Sequence, residues 1–577
     1  MTEQPIATLP WRATLRLTPL ATSALIVGFA VLLFLPSIIY GAPTGHSWRY
    51  NVIWLDAFSE VLSLSNPYPR WLPSLWAGAG SPDFYFYAPL FFYLGAGAKV
   101  LCQCAASDAQ SYAALVLHAL SGLGIAHLCR RLNLGEGAAC IGAVVFMLLP
   151  YHLADWTLRN SVGELAAAGM LGFLLGALVD SLTRDRGHLL LAAGTAWVAF
   201  AHLPSLVMLA FVGGGVAMAL RGSVTPGRFL RTCIAGVLGF LAVAAYWVPA
   251  ILLLDTVNSG FMMGFHWSNH IFTFAALFDG EFVGQLFRPA FGLSLLAGIG
   301  LLLVWRGEAQ RTAAPAVALA IMVICWFMMS LLSRIFWEHT PVDRIQFPWR
   351  FLLMLDIALA LAAALLVERI AAIGGAARLR AACTGLLVAF VAAVLFWMPA
   401  WVSAERGLTR PHWALEERVS VLEWIGLAPS GPHGLTHRIM RDLGHLPAPL
   451  HEAPLLQVVE GEGRLEALEE GGRRLLFRAA CDEGCTVIIR RNYWPFWSLQ
   501  AADGGAVALE ATEGFPLLTA RLPAGDGVYR LALARPPAEL AGWGVSGAAL
   551  LVGALLLLYR RRRRGGEGAW DGRGQVG

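Results

Sequence analysis

Carboxylate and guanidinium side chains recur at the ends of long apolar runs in this sequence, where they could serve acid–base and phosphate chemistry. The stretch NVIWLDAFSEVLSLS places Asp56 and Glu60 one helical turn apart, on the polar side of an amphipathic pattern. A carboxylate at that surface could act as a general base, and the alternative is a solvated helix face. The pattern therefore predicts an amphipathic surface helix with two candidate acid–base groups.

Arg70 lies in a stretch that is aromatic and broken by proline and glycine, YPRWLPSLWAGAGSPDFYFYAPLFFY. The prolines favour extended or turn geometry, and the glycines allow a bend. A guanidinium beside aromatic rings suits a bidentate contact with phosphate, although aromatic belts are also common at membrane surfaces. The rings predicted to shape a groove are those of Tyr68, Trp71, Tyr85 and Tyr87.

Arg350 is a second basic candidate, because it follows Pro348 in the first turn of a predicted helix. The helix dipole disfavours a cation there unless an anion lies nearby, and the alternative is an arginine that reaches toward lipid headgroups. Asp155 and Arg159, spaced i, i+4, either form a simple salt bridge or join the site. The polar residues predicted at outer helix ends include Arg159, Glu164, His202, Asp255 and Arg344. Together these residues predict a groove at headgroup depth, where a lipid phosphate and a polar acceptor could meet.

The composition identifies an integral membrane protein. Of 577 residues, 57% are hydrophobic and 14% are charged, against about 25% charged residues in a typical soluble protein. Apolar runs long enough to span a bilayer recur about twelve times between residues 20 and 559. If both termini are cytoplasmic, the basic loops all fall on the cytoplasmic side and the acidic and aromatic segments face outward. The apolar stretch 88–106 is predicted to be a juxtamembrane or re-entrant helix.

The order of these spans predicts three regions. Residues 1–402 form a helical membrane domain, whose first outer segment, 41–108, we call the loop segment. Residues 403–540 form an outward connector and a small β-rich domain, because short alternating runs are separated by Gly and Asp turns. Residues 541–577 form a final membrane helix and a basic cytoplasmic tail.

Two further features narrow the possible functions. Cys481 and Cys485, in CDEGC, predict a disulfide because they fall in the outward domain, and zinc binding is the alternative. The net charge is only +4, and the basic excess lies in the predicted cytoplasmic loops. Nucleic acid binding therefore has no support.

Several motifs occur in an order that resembles a known family. The motifs are YPRWLPSLWAGAGSPDFYFYAPLFFY, LRNSVGELAA, AHLPSLVM, YWVPAILLLD, IQFPWRFL and NYWPFWSLQAADGG. They resemble bacterial YfhO-like and 6-pyruvoyl-tetrahydropterin synthase-related membrane proteins, which are similar to GT-C glycosyltransferases. The resemblance implies a GT-C-like fold in the bacterial cytoplasmic (inner) membrane. The synthase in the family label is not taken literally, because the histidines are scattered rather than clustered in a zinc signature.

The resemblance implies a membrane glycosyltransferase that takes a sugar from a polyprenyl-phosphate donor to an acceptor in the cell envelope. The base would be a carboxylate of the first outer segment, here Asp56 with Glu60 as second choice. A single displacement would invert the anomeric centre, and the arginines and His202 would contact the phosphate. Where many relatives have a GHD...H pattern, this chain has Ser47 and Asn51, so either Asp56 has taken the role or the protein is altered or inactive.

Other interpretations stay open from the sequence. A divalent metal could bind through Asp56, Asp83 or Glu164, although no close acidic pair stands out. A transporter of lipids or lipid-linked glycans would use a similar groove, but it should have discontinuous helices and polar residues at mid-membrane. A non-catalytic envelope assembly protein would use the β-rich domain for partner contacts.

Overall fold

The computed structural model describes most of the chain. The described residues are 17–43, 45–76, 78–257, 266–278, 280, 282–305, 313–373, 376–402, 454–511 and 517–570. They form a bundle of helices, two antiparallel sheets and a last long helix. The predicted connector that begins at residue 403 lies outside the described residues as far as residue 453.

Apolar helices build the bundle. Several begin at a capping residue followed by proline: Thr18 accepts a hydrogen bond from the Ala21 N–H, and Thr225 accepts one from the Arg228 N–H. The helices within the described ranges are α1 (Pro19–Tyr40), α2 (Trp48–Val61), α3 (Asp83–Phe86), α4 (Leu90–Cys102), α5 (Ala106–Arg131), α6 (Glu136–Leu148), α7 (Pro150–Thr157), α8 (Val162–Arg184), α9 (His188–Ala201), α10 (Leu203–Ala219), α11 (Pro226–Ala242), α12 (Ala244–Leu252), α13 (Phe282–Trp305), α14 (Ala314–Met329), α15 (Arg334–His339), α16 (Leu352–Ala372), α17 (Ala377–Val402) and α18 (Pro537–Trp570).

The helices confirm a multi-pass membrane protein. In the part of the chain that the structure describes, seven helices are long and apolar enough to cross a bilayer, or up to ten spans if each of three bent pairs counts as one. The bends measure 47° between α6 and α7, 69° between α11 and α12, and 79° after α14. The two remaining predicted spans are α9 and α10, with 14 and 17 residues, which are shorter than the roughly 20 residues of a straight span. The apolar stretch 88–106 contains the short helix α4.

Burial separates central from peripheral helices. Across the apolar part of Pro348–Ala372, which includes most of α16, 89% of the residues are buried, and across the apolar part of α8 the share is 83%. In α17 and α18 only 17% are buried, so both present apolar side chains at the edge of the bundle, as expected for helices that face lipid. The cluster of buried charges described below lies at the ends of the two central helices, α8 and α16.

The described residues of the β-rich domain form two antiparallel sheets, as the alternating pattern predicts. Their orders are β1-β4-β8-β7 and β2-β3-β9-β5-β6. The strands are β1 (Leu456–Glu460), β2 (Gly463–Gly471), β3 (Arg474–Cys481), β4 (Cys485–Asn492), β5 (Trp497–Ala501), β6 (Ala506–Val507), β7 (Leu509–Ala511), β8 (Leu517–Leu522) and β9 (Gly525–Leu533). In β3, Leu475 and Phe477 are buried while Arg474 and Arg478 are exposed, so one face points into the domain core. A disulfide joins Cys481 to Cys485 at the β3–β4 turn.

The β-rich domain packs directly on the loop segment. The Asn492 side-chain amide donates to the Gly80 carbonyl at 2.6 Å. The Trp494 ring lies 6.1 Å from the Trp71 ring and 4.7 Å from the Tyr85 ring. A Cβ at Gly80, whose φ is +83°, would lie 2.5 Å from Trp71, so this close approach requires glycine. The conformation of the aromatic stretch is therefore tied to the β-rich domain.

Candidate active site

A buried cluster of opposite charges lies where α7, α8 and the start of α16 meet. Arg159 follows α7, and its guanidinium contacts the carboxylates of Asp155 and Glu164. The same guanidinium donates to the Tyr151 hydroxyl at 2.7 Å. Asp155 and Glu164 are fully buried, and Arg159 is 7% exposed. Because buried charges are stable only when they are paired, these residues depend on one another.

Arg350 supplies a second cation to the same cluster. It lies in a short 3-10 turn, Pro348–Phe351, that leads into α16. Its Nε lies 3.6 Å from Glu164 Oε1, and its Nη1 donates to the Ile345 carbonyl at 2.6 Å. The Nε forms no hydrogen bond among the described residues. A cation in the first turn of a helix was expected to need a nearby anion, and that anion is Glu164. The guanidinium can still donate a hydrogen bond to a further acceptor.

Neighbouring side chains complete the wall of this cluster. The Trp349 ring lies 4.6 Å from the Arg159 guanidinium. His202, between α9 and α10, lies next to Gly163, where an added Cβ would be 3.3 Å from the imidazole ring. The structure therefore brings together four of the residues predicted from sequence: Arg159, Glu164, His202 and Arg350.

The loop segment is tied to the cluster by a polar network that sequence analysis did not predict. The Asn51 side chain donates to the Asn160 carbonyl at 2.7 Å and to the Asn160 side-chain oxygen at 2.9 Å. The Ser47 N–H donates to the Arg159 carbonyl at 3.0 Å. Ser47 and Asn51 are the two positions that depart from the GHD...H pattern, and here they anchor α2 beside Arg159. An asparagine in a buried helix turn is the signal that could have found this network.

Asp83 is another residue whose place in the site was not predicted, because the sequence suggested it only as a metal ligand. It is 3% exposed at the first position of α3, and its Oδ2 accepts a hydrogen bond from the Trp54 indole at 3.1 Å. No lysine, arginine or histidine among the described residues forms an ion pair with it. Burial raises the pKa of Asp83 to about 7, and the Ser81 and Trp54 side chains, which stabilise the carboxylate, oppose that rise.

Tyr87 connects Asp83 to the charged cluster. The Tyr87 and Trp54 ring centres lie 4.5 Å apart, so Tyr87 packs on the same indole that donates to Asp83. Burial raises the pKa of the Tyr87 hydroxyl to about 12, and the nearby Arg350 guanidinium opposes that rise. Tyr87 therefore packs on the indole that binds Asp83 and is close enough to Arg350 to sense its charge.

The unusual pKa of Asp83 predicts how stability should depend on pH. The folded protein holds the Asp83 proton up to about pH 7, whereas the unfolded chain releases it near pH 4, so Asp83 favours folding at low pH and this contribution is lost as pH rises through 7. The rise in pKa corresponds to about 4 kcal/mol at most. Asparagine does not titrate, so we expect Asp83→Asn to lose this pH-dependent loss of stability. The melting temperature of the variant minus that of wild type should therefore increase between pH 5 and pH 8. Thermal unfolding in detergent micelles measures the difference, and parallel curves would contradict the assignment.

The sequence-predicted pair Asp56 and Glu60 lies elsewhere on α2. Asp56 is half-buried and accepts a hydrogen bond from the Lys99 ammonium at 2.6 Å, and Glu60 is exposed. Leu55 and Phe58 form the buried face of α2, and the helical period turns Asp56 and Glu60 away from that face. The structure therefore does not bring these two carboxylates to the buried cluster.

Arg70 forms a buried link between the loop segment and two helices. Its Nη2 donates to the Ala245 carbonyl at 2.6 Å, and its Nε lies 3.8 Å from Glu539 in α18. The Tyr85 hydroxyl donates to the other Glu539 oxygen at 2.7 Å, and the Tyr68 ring lies 3.9 Å from the guanidinium. The charge of Arg70 is thus already matched by Glu539 and enclosed by aromatic rings.

The other predicted polar residues lie at the surface. Asp255 is exposed in the short turn Leu254–Thr256. The Arg344 side chain is 58% exposed, and its Nε lies 4.0 Å from Asp343. Among the described residues, no group of three or more His, Cys, Asp or Glu side chains is arranged to hold a metal ion. Asp56, Asp83 and Glu164, the predicted metal ligands, have the separate partners described above.

Comparison with known proteins shows similarity to solved glycosyltransferases of membranes. No protein-family model matches the chain, and no curated protein matches its sequence. The oligosaccharyltransferase of Archaeoglobus fulgidus in the apo form is 13% identical, with a TM-score of 0.46 over 67% of this chain and 56% of that chain. Arabinofuranosyltransferase AftD from Mycobacteria is 18% identical, with a TM-score of 0.45 over 67% of this chain and 27% of that chain.

The oligosaccharyltransferase AglB of Archaeoglobus fulgidus in complex with an inhibitory peptide and a dolichol-phosphate is 12% identical, with a TM-score of 0.40 over 67% of this chain and 55% of that chain. This chain thus spans about half the length of the oligosaccharyltransferase and about a quarter of AftD. The likeness concerns the arrangement of helices alone. The more specific resemblance to YfhO-like proteins stays a prediction.

Proposed function

We propose that this protein is a membrane glycosyltransferase, which moves a sugar from a polyprenyl-phosphate donor to an acceptor on the outward face of the bacterial cytoplasmic membrane. The observation that carries the proposal is the convergence of Arg159 and Arg350 on Glu164, where the Arg350 Nε is ion-paired at 3.6 Å but makes no hydrogen bond to any described residue. A largely buried guanidinium whose Nε–H lacks a hydrogen bond is suited to an anionic group such as a lipid-linked phosphate. Its position at the predicted outer helix ends matches the depth of a lipid headgroup.

The proposed reaction is a single displacement at the anomeric carbon. The acceptor hydroxyl gives its proton to a carboxylate, its oxygen forms the new bond to the anomeric carbon, and the bond from that carbon to the phosphate oxygen breaks. Polyprenyl phosphate leaves with the added negative charge, which Arg350 and Arg159 stabilise. Attack from the face opposite the leaving phosphate inverts the anomeric centre.

Asp83 is the carboxylate best suited to act as the base. A general base works best when its pKa lies near the operating pH, and Asp83 has a pKa of about 7 and no cation partner among the described residues. Asp56, the base proposed from sequence, is instead ion-paired with Lys99. Both assignments put the base in the loop segment, and mutation of each residue distinguishes them.

The test is sugar transfer by the purified full-length protein in lipid nanodiscs. A panel of radiolabelled polyprenyl-phosphate sugars is supplied with cell-envelope extract as the acceptor source. The expected result is transfer from at least one donor to an extractable product, with release of polyprenyl phosphate. Failure of every donor with protein that remains folded would count against the enzyme and shift support to a transporter or an assembly protein.

One observation favours transport as a second candidate function. α6 and α7 form a bent pair, and the His152 N–H after the break donates to the Asp356 carboxylate at 3.0 Å. The His152 and His118 rings stack at 4.6 Å, and all three side chains are buried between membrane helices. Discontinuous helices with buried polar groups are typical of transporters. Movement of a labelled polyprenyl-phosphate sugar between the leaflets of proteoliposomes, without sugar transfer, would favour this second function.

A further inference from the structure

The β-rich domain contains a cleft that none of the roles above uses. It has a volume of about 250 Å³ and lies between the turn at 493–497 and strands β5 to β7. Tyr493 is half-buried at the cleft, while Ser498 and Gln500 are exposed on β5. Trp497 contributes a largely buried indole. The residues around the cleft thus include aromatic rings, a hydroxyl and an amide, with Ser498 and Gln500 on the strand face opposite to Trp497.

The chemistry of the lining favours a neutral ligand rich in hydroxyl groups. Among the described residues that line the cleft, none carries a charge, and the one charged neighbour that pairs with a lining residue of β5 is the exposed Arg530, opposite Gln500 on β9. A sugar ring has an apolar face of C–H groups and a rim of hydroxyls. Aromatic rings can pack against that face, and side chains such as Ser498 and Gln500 can exchange hydrogen bonds with the rim.

The strand edge at the cleft is poorly suited to a peptide. Peptides that bind to sheets add a strand to an exposed edge, where main-chain hydrogen bonds supply the affinity. β6, the edge strand here, has only two residues, and it pairs with β5 through Leu499 and Gln500 alone. So short an edge offers few main-chain groups to a second strand. An oligosaccharide therefore fits this surface better than an extended peptide.

The cleft is joined to the candidate active site through one ring and one short helix. Trp494, at the buried side of the cleft, packs against Tyr85 of α3 with ring centres 4.7 Å apart. Asp83 is the first residue of the same helix, two positions earlier and roughly 3 Å away along the helix axis. Because residues two apart on a helix point to nearly opposite sides, α3 itself lies between the cleft and the proposed base.

We infer that this cleft binds a neutral oligosaccharide and forms an acceptor subsite of the enzyme. The assignment of the glycan as an acceptor rests on the proposed function, whereas binding of the glycan rests on the cleft alone. Tyr493 provides the stacking surface, and Gln500 provides hydrogen bonds to ring hydroxyls. The Trp494–Tyr85 contact fixes the position of the cleft relative to Asp83.

Binding is tested on the full-length protein in nanodiscs by saturation-transfer difference NMR. The probes are maltotetraose, mannotetraose and α-1,5-arabinotetraose as neutral oligosaccharides, with tetragalacturonic acid as the charged comparison. We expect at least one neutral probe to bind, and Tyr493→Ala to weaken that binding about tenfold through loss of an aromatic contact. Tyr493→Phe, which keeps the ring, should retain it. Gln500→Ala should weaken binding, and Gln457→Ala, which alters an exposed glutamine on β1, should not.

Several results would overturn the inference. They are failure of all neutral probes to bind folded protein, binding that Tyr493→Ala and Gln500→Ala leave unchanged, and preference for the charged probe or for an extended peptide. The experiments distinguish failure of the proposed glycan site from failure of the proposed transferase function. Glycan binding that depends on Tyr493, in a protein that transfers no sugar from any donor, would uphold the site and reject the proposed enzyme. Sugar transfer whose KM for an oligosaccharide acceptor is unaffected by Tyr493→Ala would support the proposed enzyme and reject the cleft as its acceptor subsite.

Discussion

We expect Asp83→Asn to lower the rate of sugar transfer by about a hundredfold to ten-thousandfold, the range over which positioned general bases act. Asparagine keeps the size of the side chain and can still accept the hydrogen bond from Trp54, so folding should be preserved. The wild-type rate should rise with pH through about 7 as Asp83 loses its proton. Only the deprotonated carboxylate can take the proton from the hydroxyl group of the sugar acceptor. The pH profile of kcat/KM for each variant measures both effects.

The matched control for this substitution is Asp526→Asn. Asp526 is an exposed aspartate of the β-rich domain whose only ion pair among the described residues is with Arg478 at 3.6 Å, so its loss should leave the rate unchanged. Asp56→Asn decides between the two proposed bases. A loss of transfer in Asp56→Asn with full activity in Asp83→Asn would return the role to Asp56 and contradict the argument from burial.

The second large effect is expected at Arg350. We expect Arg350→Gln to lower kcat by about a hundredfold to a thousandfold, as for loss of a positioned donor to developing negative charge. The protein should stay folded, because Glu164 keeps its contact with Arg159. Arg350→Lys should restore activity only in part, since lysine lacks the planar pair of donors. Steady-state kinetics and binding of undecaprenyl phosphate, followed by tryptophan fluorescence, measure the two contributions.

Two other arginines serve as references for Arg350. Arg334→Gln removes an exposed guanidinium that pairs with Glu338 at 2.6 Å, and it should change neither kcat nor lipid binding. Arg159→Gln should instead destabilise the fold by about 3 to 5 kcal/mol, because it leaves two buried carboxylates short of their cation. Unchanged lipid binding and unchanged kcat in Arg350→Gln would remove the main support for a phosphate site.

The sequence by itself determined the class of protein and the nature of its parts. Hydrophobic runs and the low charge content predict membrane helices because a bilayer excludes unpaired polar groups. Alternation of apolar residues predicts the β-rich domain because side chains in a strand point to opposite faces in turn. The sequence also marked Arg159, Glu164, His202 and Arg350 as outliers, since an ionisable residue beside an apolar run is costly wherever the chain folds.

Only the tertiary structure decided which of these charges meet. Arg70 lies beside rings in the sequence, yet its charge is matched by Glu539 from the last helix, a partner that no local pattern could identify. Asp56 and Asp83 belong to the same loop segment but have different surroundings. Asp56 lies on the side of α2 that faces Lys99 and forms an ion pair with it, whereas Asp83 is buried in α3 against Trp54. Pairing and burial set the protonation of a carboxylate, and both depend on how distant parts of the chain pack together.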